Sequence, residues 1–157
     1  MKKTELAVKK ADSILDELSQ HFQMIRQRAF ELYQSRPDSM AGEWDNWFEA
    51  ERAVSLEPPV ELRRANGEFE IDAALPGVDP KDLKVQVTAE DVLITAEIAA
   101  ERKLGETQSE SVTRLFRAVH LPMPINPDAV KADYRHGLLH LTAPIVEPAT
   151  RTIEVRT

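Results

Sequence analysis

The fold of this chain is decided by residues 60–77, which read VELRRANGEFEIDAALPG. Within this stretch apolar residues recur at every second position from Phe69 to Leu75, so their side chains share one face of an extended strand. Asn66-Gly67 lies between this run and the preceding one, and the dipeptide is a strong short-range signal for a tight hairpin. The stretch therefore predicts two antiparallel strands joined by a two-residue turn.

The same alternation continues towards the C-terminus in short runs that are bounded by turn residues. These runs cover residues 83–87, 92–96, 113–121, 130–134 and 138–142. Strands at this spacing, with no helical period between them, predict a mainly β protein built on an immunoglobulin-like antiparallel β-sandwich. Residues 99–112 are polar and contain Gly105, and we predict a loop there.

The first third of the chain follows a helical period instead. Apolar residues spaced alternately three and four apart predict a long helix over residues 4–35, which Arg36-Pro37 should end. The apolar seam of this helix is a candidate surface for self-association or for binding client proteins, and its main residues are Leu15, Leu18, Phe22, Ile25 and Leu32. A second, shorter helix is predicted over residues 43–54. The alternative is a self-contained helical hairpin, in which Trp47 and Phe48 fold back on Phe30 and Tyr33.

Pro58-Pro59 separates the helical part from the strands, because two prolines cannot continue a helix. We therefore divide the chain into a helical N-terminal region (1–56), a β-sandwich (57–146) and an extended C-terminal tail (147–157). In the tail, Ile153 and Val155 are branched apolar residues two positions apart. This pattern is typical of a strand that is held in a groove by two side chains.

Composition narrows the classes of function. The net charge of -7 argues against nucleic acid as a partner, since phosphate binding requires concentrated Lys and Arg. The sequence lacks an apolar run long enough to cross a membrane and an apolar signal-peptide core, so we expect no membrane association. The absence of cysteine agrees with a reducing compartment, and we expect a cytoplasmic protein.

The sequence contains no arrangement of residues typical of catalysis. It has no glycine-rich phosphate loop, no Gly-x-Ser-x-Gly elbow and no cysteine nucleophile, so we expect neither an enzyme nor a bound cofactor. His136 and His140 could approach each other around a turn and hold a metal with Asp133. The favoured interpretation is that they are turn and surface-strand residues, and we predict no metal site.

Several short motifs, taken in order, carry a resemblance to a known family. They are Ala74-Leu75-Pro76-Gly77-Val78, the strand 92–97, Ala132 to Leu139 (ADYRHGLL) and Ile153-Glu154-Val155. With these motifs, residues 60–145 resemble the α-crystallin domain of small heat-shock proteins, and the helical region resembles a bacterial helical module of uncharacterised function. The predicted loop 99–112 is shorter than in members that exchange a strand through it, which argues against a swapped dimer.

The resemblance implies a function that depends on surfaces. It implies an ATP-independent chaperone of the stress response, a holdase that binds unfolding client proteins, prevents their aggregation and assembles as a homo-dimer or larger homo-oligomer. It also implies that the tail motif docks in a groove between two strands, near Val85, Val87, Val130 and Tyr134. Two alternatives remain open: a co-chaperone or adaptor that binds one folded partner, and a structural scaffold assembled through the helices.

Overall fold

The structure, a computed structural model, describes residues 4–35, 42–105, 107–146 and 155. It consists of a β-sandwich and two helices. The helices are α1 (Leu15–Ser35) and α2 (Glu43–Val54). The strands are β1 (Thr4–Leu6), β2 (Val8–Lys10), β3 (Val60–Ala65), β4 (Glu68–Ala74), β5 (Leu83–Val87), β6 (Asp91–Leu104), β7 (Thr107–His120), β8 (Lys131–Arg135) and β9 (Leu138–Pro144). Neither of the two described helices is long and apolar enough to cross a membrane.

Two sheets face each other across one apolar core. The five-stranded sheet has the order β1-β8-β9-β4-β3, and the four-stranded sheet has the order β2-β5-β6-β7. The alternating residues predicted to face inward are buried, among them Ile71 and Leu75 from one sheet and Val87 and Ile94 from the other. The predicted β-sandwich is confirmed.

Both tight turns predicted from the sequence are present. Asn66 and Gly67 join β3 to β4 with φ angles of 53° and 77°, and His136 and Gly137 join β8 to β9 with φ angles of 51° and 77°. A two-residue turn with positive φ at both positions matches the twist of the flanking strands. Asn66 and His136 belong to the residue types that adopt this conformation most readily.

The predicted loop at residues 99–112 is wrong, because β6 and β7 continue through it as a hairpin. Their register runs from Asp91↔His120 to Leu104↔Thr107, and the turn contains Gly105 with a φ of 66°. The polar sequence suggested a loop, but backbone hydrogen bonds between two strands do not require apolar side chains. The two strands are each 14 residues long.

The predicted helix start near residue 4 is also wrong. Residues 4–10 form β1 and β2, and α1 begins at Leu15. The Ser13 hydroxyl accepts a hydrogen bond from the Leu15 backbone N–H at 3.0 Å and so satisfies a donor that the first turn leaves unpaired. Leu6 and Val8 are two positions apart, so the sequence before Ser13 is compatible with a strand. Val8 also fits the helical period of the residues that follow it.

The two helices pack against each other, with Ile25 of α1 and Ala50 of α2 among the buried residues. The first turn of α2 is closed by Asp45, whose carboxylate accepts from the Gly42 backbone N–H at 3.1 Å. Of the four aromatic rings expected to be buried in a self-contained hairpin, three are largely exposed. Phe48, Phe30 and Tyr33 have exposed fractions of 50%, 58% and 53%, whereas Trp47 is partly buried.

The turn at Gly137 provides a stability test with an internal control. Gly137→Ala places a Cβ 3.2 Å from the Pro76 Cα, whereas a Cβ at Gly67 meets nothing within 4 Å, and both glycines have the same φ. Gly67→Ala should therefore lower the free energy of unfolding by about 1–2 kcal/mol through the backbone conformation alone. Gly137→Ala should lower it further. Equal losses in urea denaturation of the two variants would contradict this account of the close approach to Pro76.

Candidate peptide-binding groove

One side of the sandwich is formed by the edges of two different sheets. Without the N-terminal strands, β5 would be the outer strand of the four-stranded sheet and β8 that of the five-stranded sheet. Such edges present unpaired N–H and C=O groups to any extended segment that approaches. The groove is the space between β5 and β8.

The N-terminal segment of the same chain lies in this groove. β1 pairs antiparallel with β8, β2 pairs parallel with β5, and only Ala7 lies between the two strands. The Ala11 backbone N–H then donates to the Val87 carbonyl at 2.9 Å. One extended stretch of the chain thus crosses from one sheet to the other and covers both edges.

Leu6 and Val8 are the residues of this stretch that enter the core. Leu6 is opposite Ala132, and Val8 is opposite Val85. Directly opposed residues point to the same face of a sheet, and both partners are buried. Leu6 and Val8 are accordingly partly buried and pack against the core cluster.

The residues predicted to line the groove lie on or beside its two walls. Val85 and Val87 are buried on β5, Tyr134 is buried on β8, and Val130 is partly buried just before β8. Ile153 of the tail motif lies outside the described residues, and Val155 is 85% exposed. Docking of the tail in the groove therefore stays a prediction.

Tyr134 attaches the β8 wall of the groove to the rest of the sandwich. Its hydroxyl lies 2.8 Å from the carbonyl oxygens of both Leu75 and Val78, to which it donates. Burial raises the pKa of Tyr134 above its ordinary value of 10.0, and the charge of Asp79 acts in the same direction. The side chain stays neutral and fixes β8 to the segment that follows β4.

Comparison with known proteins places this chain in a family. The sequence profile of the Hsp20/alpha crystallin family matches residues 61–156, which is more than half of the chain. The chain belongs to this family. The small heat-shock protein resemblance is therefore confirmed, and membership supports a chaperone role.

Individual relatives of this Hsp20 family member agree with the profile. A "Probable 15 kDa heat shock protein" from Leptospira interrogans is 32% identical over 111 residues, covering 68% of this chain and 83% of the relative. The "Alpha-crystallin" of Mycobacterium tuberculosis is 28% identical over 134 residues, covering 78% of this chain and 93% of the relative. The structure of heat shock protein 16.0 from Schizosaccharomyces pombe has a TM-score of 0.51 at 23% identity, covers 65% of this chain and 77% of that chain, and supports the fold.

The predicted helix seam of this Hsp20 protein is divided between buried and exposed positions. Ile25 is 1% exposed, Leu18 and Leu32 are partly buried, and Leu15 and Phe22 are 68% and 49% exposed. The structure therefore does not present the five residues as one continuous exposed surface. Their function in self-association or client binding stays a prediction.

The charged residues of the sandwich pair across neighbouring strands. Asp72 of β4 accepts from Arg63 of β3 at 2.6 Å and lies 2.6 Å from the His140 ring of β9. Within the described parts of the chain there is no group of three or more His, Asp or Glu side chains that could hold a metal ion. His140 lies beside the Asp72 carboxylate in the five-stranded sheet.

One aromatic contact attaches helix α1 to the sheet. The His21 ring stacks on Phe116 of β7 with centroids 3.8 Å apart and planes inclined by 3°. Burial lowers the pKa of His21 from its ordinary value of 6.5, and it outweighs the carboxylate of Glu51, which raises it. The charge of Arg114 lowers the pKa further, whereas Glu57 raises it. The folded protein therefore favours the neutral imidazole.

This contact should make the stability of the protein depend on pH. Because the folded state lowers the pKa of His21, its contribution is complete above the unfolded pKa of about 6.5 and is lost as the pH falls through the folded pKa. His21→Phe keeps a ring on Phe116 but cannot be protonated. Between pH 7.5 and 5, thermal unfolding should show wild type losing stability relative to His21→Phe.

The difference in stability between wild type and His21→Phe does not include the other histidines, because their contributions are equal in both proteins and cancel. The hydrogen bond to the Asp91 carboxylate raises the pKa of His120, but this contribution is the same in wild type and variant. A difference in melting temperature that does not change with pH would contradict the account of the His21 contact.

Proposed function

We propose that this protein is an ATP-independent holdase, which binds unfolding proteins and keeps them from aggregating. The observation that carries the proposal, together with the family, is the position of the exposed aromatic side chains. Among the described residues, every exposed large aromatic side chain lies on α1 or α2: Phe22, Phe30, Tyr33, Trp44 and Phe48. The described sandwich buries its own aromatic residues or leaves them partly covered.

Exposed aromatic groups are suited to unfolding clients because both partners remove apolar surface from water. An unfolding protein exposes apolar side chains and unpaired strand edges. Each large side chain removed from water contributes about 1.5–3 kcal/mol before ordering costs. The rings of Trp44 and Phe48 lie 6.3 Å apart, so one client segment can contact both. Binding to the unfolded state requires no nucleotide.

Assembly into a homo-oligomer is the second part of the proposal. The tail motif Ile153-Glu154-Val155 of one subunit would pair with the groove of another, with Ile153 and Val155 inserted. This is supported by the present occupant of the groove, since Leu6 and Val8 are also branched apolar residues two positions apart. A single contact of this size is weak, but repetition around an oligomer multiplies its effect. The cysteine-free sequence agrees with activity in the cytoplasm.

The holdase proposal is tested by aggregation of a heat-labile enzyme, followed by light scattering. Equimolar subunits of the wild-type protein should suppress most of the scattering increase without added nucleotide. Trp44→Ser/Phe48→Ser should suppress it at least severalfold less, since two apolar contacts are removed from the client surface. Ala53→Ser, at an exposed position of the same helix, is the matched control and should behave as wild type.

Two results would contradict the proposal. Full aggregation of the enzyme with equimolar wild-type protein would exclude holdase activity towards that client class. Equal suppression by wild type and by Trp44→Ser/Phe48→Ser would exclude α2 as the client surface.

A further inference from the structure

We propose that Leu6-Ala7-Val8 is an internal occupant of the groove, which the tail of another subunit must displace before assembly. The proposal rests on the proposed function, because it takes the groove as the docking site of the tail. It adds a competitor that belongs to the same chain. Each subunit would then exist in a closed form, with the N-terminal segment in the groove, and an open form, with the groove free for a tail.

The first support is the way in which the N-terminal segment makes its contacts. Thr4–Leu6 follows the edge of β8 with the register Thr4↔Tyr134 to Leu6↔Ala132. Val8–Lys10 follows the edge of β5 with the register Val8↔Val85 to Lys10↔Val87. A tail strand that used either edge would need the same backbone groups. The two segments therefore cannot use these edges at the same time.

The second support is the match between the two segments. Leu6-Ala7-Val8 and Ile153-Glu154-Val155 each present two branched apolar residues separated by one residue. In the N-terminal segment these two side chains are the ones that reach the core. A groove that accepts Leu-x-Val accepts Ile-x-Val with little change in apolar volume.

The third support is that the N-terminal segment is held by few interactions. β1 and β2 are three residues each. Their inward-facing side chains, Leu6 and Val8, are only partly buried, whereas Val87 on the neighbouring strand β5 is fully buried. The ion pair of Lys10 with Asp128, at 3.1 Å, joins side chains that are 55% and 68% exposed. An exposed pair of this kind stabilises the contact little. Short outer strands belong to the parts of a protein that open first.

The consequence is that assembly depends on concentration and on the closed fraction. When a site is open in only a fraction of the molecules, the apparent Kd of its ligand is the intrinsic Kd divided by that fraction. If the open form is about 1–10% of the subunits, removing the internal competitor should strengthen tail binding about 10- to 100-fold.

The test measures binding of a fluorescent peptide with the sequence of residues 150–157 by anisotropy. All proteins are full-length and carry Ile153→Ser/Val155→Ser, so that their own tails do not compete. The test protein also carries Leu6→Ser/Val8→Ser. The matched control carries Lys9→Ser, at an exposed position of β2 that is opposite Gln86. A peptide with serine in place of both Ile153 and Val155 measures background binding.

The outcomes separate this inference from the proposal on which it rests. Binding to Leu6→Ser/Val8→Ser at least tenfold tighter than to the parent and to Lys9→Ser supports the internal competitor. Equal affinity for all three proteins overturns the competitor and leaves tail docking in place. Binding no stronger than background to any of them overturns tail docking and, with it, the inference.

A second experiment with a disulfide variant tests the internal competitor if the serine substitutions impair folding. The chain has no cysteine, and Glu5 and Asp133 are direct partners across β1 and β8. Opposed residues of antiparallel strands lie about 4.5–5.5 Å apart at Cα, within the range that a disulfide spans. In Glu5→Cys/Asp133→Cys, oxidation should abolish peptide binding and reduction should restore it. Equal binding by the oxidised and reduced forms would overturn the competitor.

Discussion

The structure depends on covering the open side of the sandwich, where the edges of β5 and β8 meet the apolar core. An uncovered side would leave the backbone groups of two strands unpaired and would expose Val85 and Ala132. The chain meets this constraint with residues 4–10, which pair with both edges and insert Leu6 and Val8. Any other segment that enters the groove must satisfy the same two requirements: hydrogen bonds to an edge and two apolar side chains on one face.

This constraint connects the stability of one subunit with the assembly of several. The N-terminal segment covers the groove in the closed form, and in the proposed assembly a tail covers it. The N-terminal segment leads directly into α1, which contacts β7 through His21 and Phe116. Release of residues 4–10 would therefore loosen the connection between the sandwich and the N-terminal end of the helix that carries Phe22 and Phe30. Assembly and exposure of the client surface are expected to change together.

The sequence predicted the parts of the fold that local rules determine. Asn66-Gly67 and His136-Gly137 specify their turns because few residue types adopt positive φ, and strict alternation specifies the inward faces of β4 and β5. Val8 was ambiguous, since it fits a helical period and a strand alternation, and its strand depends on Val85, 77 positions further along the chain. The same limit applies to residues 99–112, because the polarity of their side chains does not indicate the ladder of backbone hydrogen bonds that they form. It also applies to Ile25 and Phe22, which are both apolar residues of α1 and of which packing buries only Ile25.

The most direct test of the shared groove is hydrogen exchange, read by mass spectrometry over a range of protein concentrations. In dilute protein, the backbone amides of Thr4–Lys10 and those of Leu83–Val87 should both be protected. As concentration and oligomer mass increase, Thr4–Lys10 should lose protection, whereas Leu83–Val87 and Lys131–Arg135 should keep theirs. Protection of Thr4–Lys10 that stays constant while the oligomer grows would contradict the account.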